Sequence, residues 1–370
     1  MLYKLLYALQ PHFNALNIFR YLTFRAAFAA ITAFLVCIAV GPYFIAHLRR
    51  RKIGERTDKT DAPFLADLHK DKANTPTMGG ALIVIAAVVS SFLWADPLNF
   101  YVLVANLCMI YLCLVGYVDD NIKLTHPSSK GLTSGVKFTA QTLLAVIVAI
   151  TLLNHYKAGN DPQGTLLQLP FISIAKFHWA MPAVIFVPFV VLVIVGSSNA
   201  VNLTDGLDGL ATGCTIMVTG AFAILAYVVG HAVFSKYLFI QYIPGAGELA
   251  VFCSALAGAT LGFLWFNCHP AEVFMGDTGS LPLGGAIGFV AVAIKQEFLL
   301  VIIGGIFVAE AASVIIQVLN YKCTRRRVFR CAPLHHHFQF GGWAESKVTI
   351  RFWIIAAILA AFGLATLKLR

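Results

Sequence analysis

The chain reads as an all-α polytopic membrane protein, with ten transmembrane helices in a single domain over residues 1–370 and both termini periplasmic. Three observations predict this. Of 370 residues, 59% are hydrophobic and only 12% are charged, against about 25% charged in an average soluble domain. Apolar segments follow one another from residue 26 to residue 367, which leaves no stretch long enough for a separate soluble domain. Lys and Arg fall mostly in alternate loops, as they do when basic residues are held on the cytoplasmic side.

The first 24 residues interrupt their apolar positions with Lys4, Gln10, Pro11, His12, Asn14, Asn17 and Arg20, so they read as an interfacial helix and not as a cleavable signal peptide. A transmembrane helix needs about 20 mostly apolar residues. Candidates run Ala26–Leu48, Thr77–Trp94, Leu98–Val118, Leu132–Leu153, Ala180–Gly196, Leu210–Val229, Leu249–Phe266, Leu281–Ile294, Phe298–Leu319 and Thr349–Leu367. The eighth is the weakest, at 14 residues. It is kept as a span because without it the Arg325-Arg326-Arg327 loop would turn outward and break the charge rule. With it, eight basic residues from Arg49 to Lys72, then Lys123, Lys130 and Lys137, then six from Lys322 to Lys347, share one side. Residues 49–76 and 321–348 are therefore expected on the cytoplasmic face.

The same features exclude several classes. A net charge of +10 could suggest nucleic acid, but the excess sits in a few loops and not on a soluble basic face with aromatics. Cys37, Cys108, Cys113, Cys214 and Cys253 lie inside apolar runs and no CxxC pair occurs, so buried free thiols are expected in place of a metal cluster or disulfide framework. No fixed-period repeat or inverted pair of halves is visible, which disfavours a transporter built from repeats.

Four polar motifs stand out, and the topology brings all of them to the cytoplasmic face. Asp119-Asp120 ends the third span, where the negative end of the helix dipole makes each exposed carboxylate cost about 0.3–1 kcal/mol. Either they open a solvated loop or they hold a hard divalent cation, and bound Mg²⁺ would relieve their repulsion. Asp205 and Asp208 precede the sixth span, where Asp is a favoured N-cap and Asp-Gly suits tight turns, so on these residues alone capping wins. Asp277 stands similarly before the eighth span, but there Thr278 and Ser280 can do the capping and leave its carboxylate free.

His335-His336-His337 cannot share one helical face, and adjacent residues make a poor three-ligand metal site. After Arg325-Arg326-Arg327 and Arg330 they read as donors for phosphate oxygens, set against the alternative of a basic loop beside anionic lipid. Pro333 argues for a fixed turn. Lys72 and Thr77 flank Asn74-Thr75-Pro76, ahead of Met78-Gly79-Gly80, where a helix N-terminus can admit an anion or simply pack tightly. Glu310, mid-span in the ninth helix, reads as structural.

Acids able to hold Mg²⁺ beside Lys and His able to hold anionic oxygens are the parts of a phosphoryl-transfer site. Neither a GxxxxGK[ST] phosphate loop nor an HExxH helix is present. A site at bilayer level that opens to the cytoplasm can take one soluble substrate and one lipid head group.

Several motifs, in order, resemble the phospho-N-acetylmuramoyl-pentapeptide transferase family of the polyprenyl-phosphate N-acetylhexosamine-1-phosphate transferase superfamily. They are Thr75-Pro76-Thr77-Met78-Gly79-Gly80, Asp119-Asp120, the run Asn202–Ala211, Phe274-Met275-Gly276-Asp277-Thr278-Gly279-Ser280 and Pro333-Leu334-His335-His336-His337-Phe338. The resemblance covers nearly the whole chain and implies transfer of phospho-MurNAc-pentapeptide from its UDP carrier to undecaprenyl phosphate, giving lipid I and UMP in peptidoglycan synthesis. It implies Mg²⁺ as cofactor and a bacterial inner membrane location. Asp119, Asp120, Asp277 and His335 would form the catalytic core, with Asp277 the foremost Mg²⁺ ligand and Asp119 and Asp120 beside it. Gly206, Leu207, Asp208, Asn267, Phe274, Gly276 and Lys72 would form the uridine pocket. Thr77, Asn202, Asp205, His336 and His337 would line the ribose and diphosphate path.

Expected partners are UDP-MurNAc-pentapeptide, undecaprenyl phosphate and the bilayer, with a homodimer as candidate assembly and no nucleic acid. One departure is visible: the family commonly has an acid after the histidines, where this chain has Gln339. Asp119 is left with three roles, deprotonating the lipid phosphate, positioning it, or carrying phosphate covalently. The competing functions are a polyprenyl-phosphate GlcNAc-1-phosphate transferase, whose relatives show His-Ile-His-His where this chain has three consecutive histidines, and a secondary transporter.

Overall fold

The computed structural model describes residues 2–50, 75–125, 131–159, 164–174 and 176–369. Among these the chain is helical, with an isolated β bridge between Leu166 and Ala180. Short α1 (Leu2–Ala8) and a 3₁₀ turn (Asn14–Arg20) precede α2 (Leu22–Arg50). There follow α3 (Gly80–Trp94), α4 (Phe100–Thr125), α5 (Ser134–Ala158), α6 (Ala183–Thr204), α7 (Leu210–Val229), α8 (Ala232–Tyr237) and α9 (Glu248–Asn267). The last elements are α10 (Asp277–Ala293), α11 (Glu297–Ile303), α12 (Gly305–Thr324), α13 (Leu334–Phe340) and α14 (Glu345–Ala365).

Eight of the described helices are long and apolar enough to cross a membrane: α2, α4, α5, α6, α7, α9, α12 and α14 with its 3₁₀ extension. The chain is thus a multi-pass membrane protein. Two further apolar helices, α3 and α10, have 15 and 17 residues. At 1.5 Å per residue they extend about 22 and 26 Å, short of the roughly 30 Å hydrocarbon core.

Shortness in α10 goes with burial, since all 17 of its residues are buried and it packs against α4 and α6. Beyond its polar first turn the helix is apolar on every side, as a core helix is. Close approach needs small residues: a side chain at Gly116 of α4 would meet the Asp277 backbone oxygen at 2.2 Å. That contact sets the Asp119-Asp120 turn of α4 against the first turn of α10.

Three expected boundaries differ. The ninth span is not continuous, because Gly304 separates α11 from α12. The third continues past Asp119-Asp120 to Thr125, so these acids lie inside a helix and not at its end. The fifth continues to Thr204, which puts Asn199 and Asn202 on α6. All eight cysteines are free; Cys37, Cys108, Cys214 and Cys253 are buried as expected, whereas Cys113 is only half-buried.

Candidate active site

The backbone first brings two distant segments together. Phe274 N–H donates to the Pro76 carbonyl, and Gly79 and Gly80 N–H donate to the carbonyls of Phe274 and Met275, all at 2.8–2.9 Å. The Thr75–Gly80 motif is thereby laced to the segment that leads into α10. Between them Gly276 has a φ of +69°, and a side chain there would meet Asp120 Oδ2 at 2.7 Å and Thr77 Oγ1 at 2.9 Å. Glycine at this position allows Thr77, Asp120 and the start of α10 to converge.

Asp119, Asp120 and Asp277 form one buried cluster, each at most 9% exposed, with a carboxylate oxygen from each within 4.8 Å of the others. Asp120 Oδ2 accepts from the Thr278 backbone N–H at 2.9 Å and its hydroxyl at 2.7 Å. Asp120 therefore caps α10 from another helix, satisfying an N-terminal donor that helix geometry leaves open. The expectation that Thr278 and Ser280 cap α10 is corrected: the Ser280 hydroxyl donates to the Gly276 carbonyl, and no side chain caps from Gly276.

Nor does the Asp277 carboxylate stand free. Lys123 Nζ and Lys137 Nζ each lie 2.7 Å from its Oδ2, and Asn202 Nδ2 donates to its Oδ1. Lys123 also reaches Asp119 at 2.8 Å and Asp120 at 3.6 Å, and Lys137 reaches Asp119 at 3.5 Å. Two ammonium groups thus face three carboxylates, which offsets part of the repulsion the sequence raised. Beside them a cavity of about 620 Å³ is lined by Asp119, Lys123, Ser134, Lys137, Phe138 and Asn199 among others. All-oxygen carboxylate donors at this spacing suit a hard divalent cation, which would compete with the lysines for the same oxygens.

A second cluster surrounds the turn after α6. Asp208 was expected to cap α7, but the N-cap is Gly209, at φ +72°, without side-chain capping. The Asp208 carboxylate instead accepts from His269 Nδ1 at 3.0 Å and Ala271 N–H at 3.2 Å. Asn267 accepts from Gly209 N–H and the Thr212 hydroxyl and donates to the Val273 carbonyl, tying this turn to the segment before Phe274. Leu207 is buried, Phe274 half-buried, and Asp205 caps the end of α6.

The histidines form a third group, on helix α13 after Pro333. They point to different partners, as three consecutive helical positions must. His335 is 1% exposed: its backbone N–H donates to Glu310 Oε1 at 3.1 Å, its Nδ1 lies 3.2 Å from Glu310 Oε2, and its Nε2 faces Gly206. His336 Nδ1 pairs with Gln339 Oε1 at 2.8 Å, so the residue that departs from the family pattern is this histidine's partner. His337 Nδ1 accepts from Arg330 N–H.

The expected residues thus fall into three neighbourhoods: Asp119, Asp120, Asp277, Asn202, Thr77 and Gly276; then Asp208, Asn267 and their turn; then His335 with Gly206. Lys72 lies outside the described residues. Lys123 and Lys137, which face these acids, were not singled out from the sequence, while Glu310, read as structural, bonds across helices to His335. Lys123 was legible, four positions after Asp119 on one helix. Lys137 carried no local signal.

What this fold and its acid–lysine cluster define is a multi-pass membrane transferase: residues 102–295 match the model of glycosyl transferase family 4. Residues 72–84 match signature 1 of phospho-N-acetylmuramoyl-pentapeptide-transferase. Proteins of that name from Koribacter versatilis and Acidobacterium capsulatum are 49% and 50% identical to the chain, over 100% of both sequences in each case. The chain belongs to the phospho-N-acetylmuramoyl-pentapeptide-transferase family.

Proposed function

We propose that the chain transfers phospho-MurNAc-pentapeptide from UDP-MurNAc-pentapeptide to undecaprenyl phosphate, forming lipid I and UMP in peptidoglycan synthesis. The observation that carries this is the lacing of the signature segment, through Pro76, Gly79 and Gly80, onto the backbone that presents Asp277. The family's hallmark and the acid cluster are one piece of structure.

In the reaction an oxygen of the lipid phosphate attacks the sugar-bearing phosphorus, the bridging P–O bond breaks, and UMP leaves. Both reactants are anions, so the barrier is largely electrostatic. Lys123 and Lys137 supply fixed positive charge against the phosphate oxygens. Asp277, with Asp119 and Asp120, would hold Mg²⁺, which would supply positive charge against the phosphates. Asn202 orients Asp277, and Glu310 orients His335. The turn carrying Gly206, Leu207 and Asp208, with Asn267, Phe274 and Lys72, takes the uridine; Thr77, Asp205, His336 and His337 line the path of the ribose and diphosphate. An apolar cavity of about 370 Å³ between α6, α11 and α12, lined as far as Val201, supports an approach for the lipid chain from the bilayer toward Asn202.

The reading extends to topology: α3 and α10 cross with the eight longer helices, making ten spans in one domain of a bacterial inner membrane. Residues 1–24 lie at the interface, both termini are periplasmic and the site is cytoplasmic. Cys323, exposed at the end of α12, should resist an impermeant thiol reagent in intact cells and react in inverted vesicles. Labelling from outside would overturn the shared-face arrangement. For the activity, purified protein with Mg²⁺ and undecaprenyl phosphate should release UMP from UDP-MurNAc-pentapeptide and not from UDP-GlcNAc. The opposite preference would reassign the substrate.

A further inference from the structure

The Asp208-Gly209 turn is held from outside by one face of the last long helix. Asp208 N–H donates to Glu345 Oε1 at 2.8 Å, across 137 positions of sequence. The Thr349 hydroxyl donates to the Asp208 carbonyl at 3.3 Å, and Trp353 Nε1 donates to the Gly209 carbonyl at 3.1 Å. Glu345, Thr349 and Trp353 are spaced four apart, so they form a single stripe along α14. All three of their partners are main-chain groups of two adjacent buried residues.

The turn needs such a holder. Gly209 is left-handed, α7 has no side-chain cap, and buried main-chain polar groups must find partners. Asp208 turns its carboxylate to His269 and Ala271, and carboxylate oxygens of Asp208 and Glu345 and a ring nitrogen of His269 lie within 4.8 Å of one another. Its backbone and side chain are thereby gripped from two elements, and the direction of the carboxylate depends on both grips. Because α14 follows α13 by only four residues, the stripe also couples this turn to the helix that carries the histidines.

We propose that Glu345, Thr349 and Trp353 are positioning residues for nucleotide recognition, setting the conformation of the Asp208-Gly209 turn without touching substrate. The inference rests on the reading that this turn takes the uridine nucleotide. Glu345 is the discriminating position, because Gln at 345 keeps an oxygen that accepts the same N–H and Ala does not.

Glu345→Ala should raise KM for UDP-MurNAc-pentapeptide about tenfold, the scale of one hydrogen bond to a charged acceptor. Its kcat should stay within about twofold and KM for undecaprenyl phosphate should not move. Glu345→Gln should restore the nucleotide KM. UMP affinity by calorimetry on the folded fraction should fall by the same factor as KM rises, which separates positioning from loss of folded protein. An unchanged nucleotide KM in Glu345→Ala, a loss confined to kcat, or equal damage in Glu345→Gln would overturn the proposal. Asp208→Asn tests the underlying reading: if it leaves nucleotide KM and UMP affinity unchanged, the turn is not the nucleotide site. If it raises KM while Glu345→Ala does not, only the positioning role falls.

Discussion

Buried charge is handled differently at two places in this molecule. In one, Arg25 makes two bonds of 2.7 and 2.9 Å to the Glu248 carboxylate and a third to the Trp94 carbonyl. Glu248 in turn accepts from Asp96 N–H, and Asp96 pairs with Lys4. Two cations meet two anions, and the network ties α1, α2, α9 and the end of α3. In the other, Asp119, Asp120 and Asp277 crowd around Lys123 and Lys137, leaving one carboxylate in excess. A matched network fastens helices. Three acids massed at the start of a wholly buried helix stand against the needs of folding, and what they offer is a place for further positive charge.

The contrast can be broken by substitution. The largest stability effect is expected for Arg25→Met, which leaves the half-buried Glu248 without its cationic partner and should cost up to about 3–5 kcal/mol. Thermal unfolding in detergent should show it, while turnover per folded molecule stays near wild type; a large loss of specific activity would erase the distinction between the regions. Asp120→Ala should cost about 1–3 kcal/mol by orphaning the Thr278 N–H and hydroxyl, and it should also lower turnover, since this acid both caps α10 and faces the lysines.

Phe274→Ala should weaken UMP binding about tenfold, or roughly 1.4 kcal/mol, if its ring stacks on uracil. Phe274→Trp should retain much of the affinity, and polyprenyl phosphate should bind both variants alike. The smallest effect is expected at Lys4. Burial pushes the Asp96 carboxyl up, but the bonds from Lys4 and Leu98 N–H outweigh it, and the group lies below its usual range. That stabilisation is present above the ordinary carboxylate pKa and fades as pH falls through the lowered value. Lys4→Met should therefore cost less than about 1 kcal/mol at neutral pH and nothing in strong acid. A larger loss would mean that the matched network owes its strength to its exposed rim.

Helix existence was legible because long apolar runs have few alternatives in lipid, and the polar motifs were visible as polar residues where apolar ones were expected. Span ends were less so. Asp119-Asp120 looked terminal because carboxylates usually stop a membrane helix, whereas Lys123, one turn on, lets α4 continue to Thr125. The break at Gly304 in the ninth span was hidden because its neighbours on both sides are apolar. Capping misled twice: Asp208 and Thr278 are plausible caps by type, but long-range partners, the 269–271 turn and Asp120, took precedence. Glu310 was read as structural because a lone buried Glu usually bonds across helices, and it does so, to His335 on α13, 25 residues away.

We propose that Asp277 is kept for charge handling in the reaction and not for folding, whereas Asp120 also caps α10. Asp277→Asn tests it most directly, because the amide keeps the size of the side chain and removes its charge. Turnover and thermal unfolding should be measured on the same detergent-purified sample across a Mg²⁺ titration. Turnover is expected to fall by about 10³-fold or more, as when a principal electrostatic group is removed, with no rescue at high Mg²⁺ and no loss of thermal stability. Near wild-type turnover at low Mg²⁺, or an activity loss that merely follows unfolding, would contradict the account.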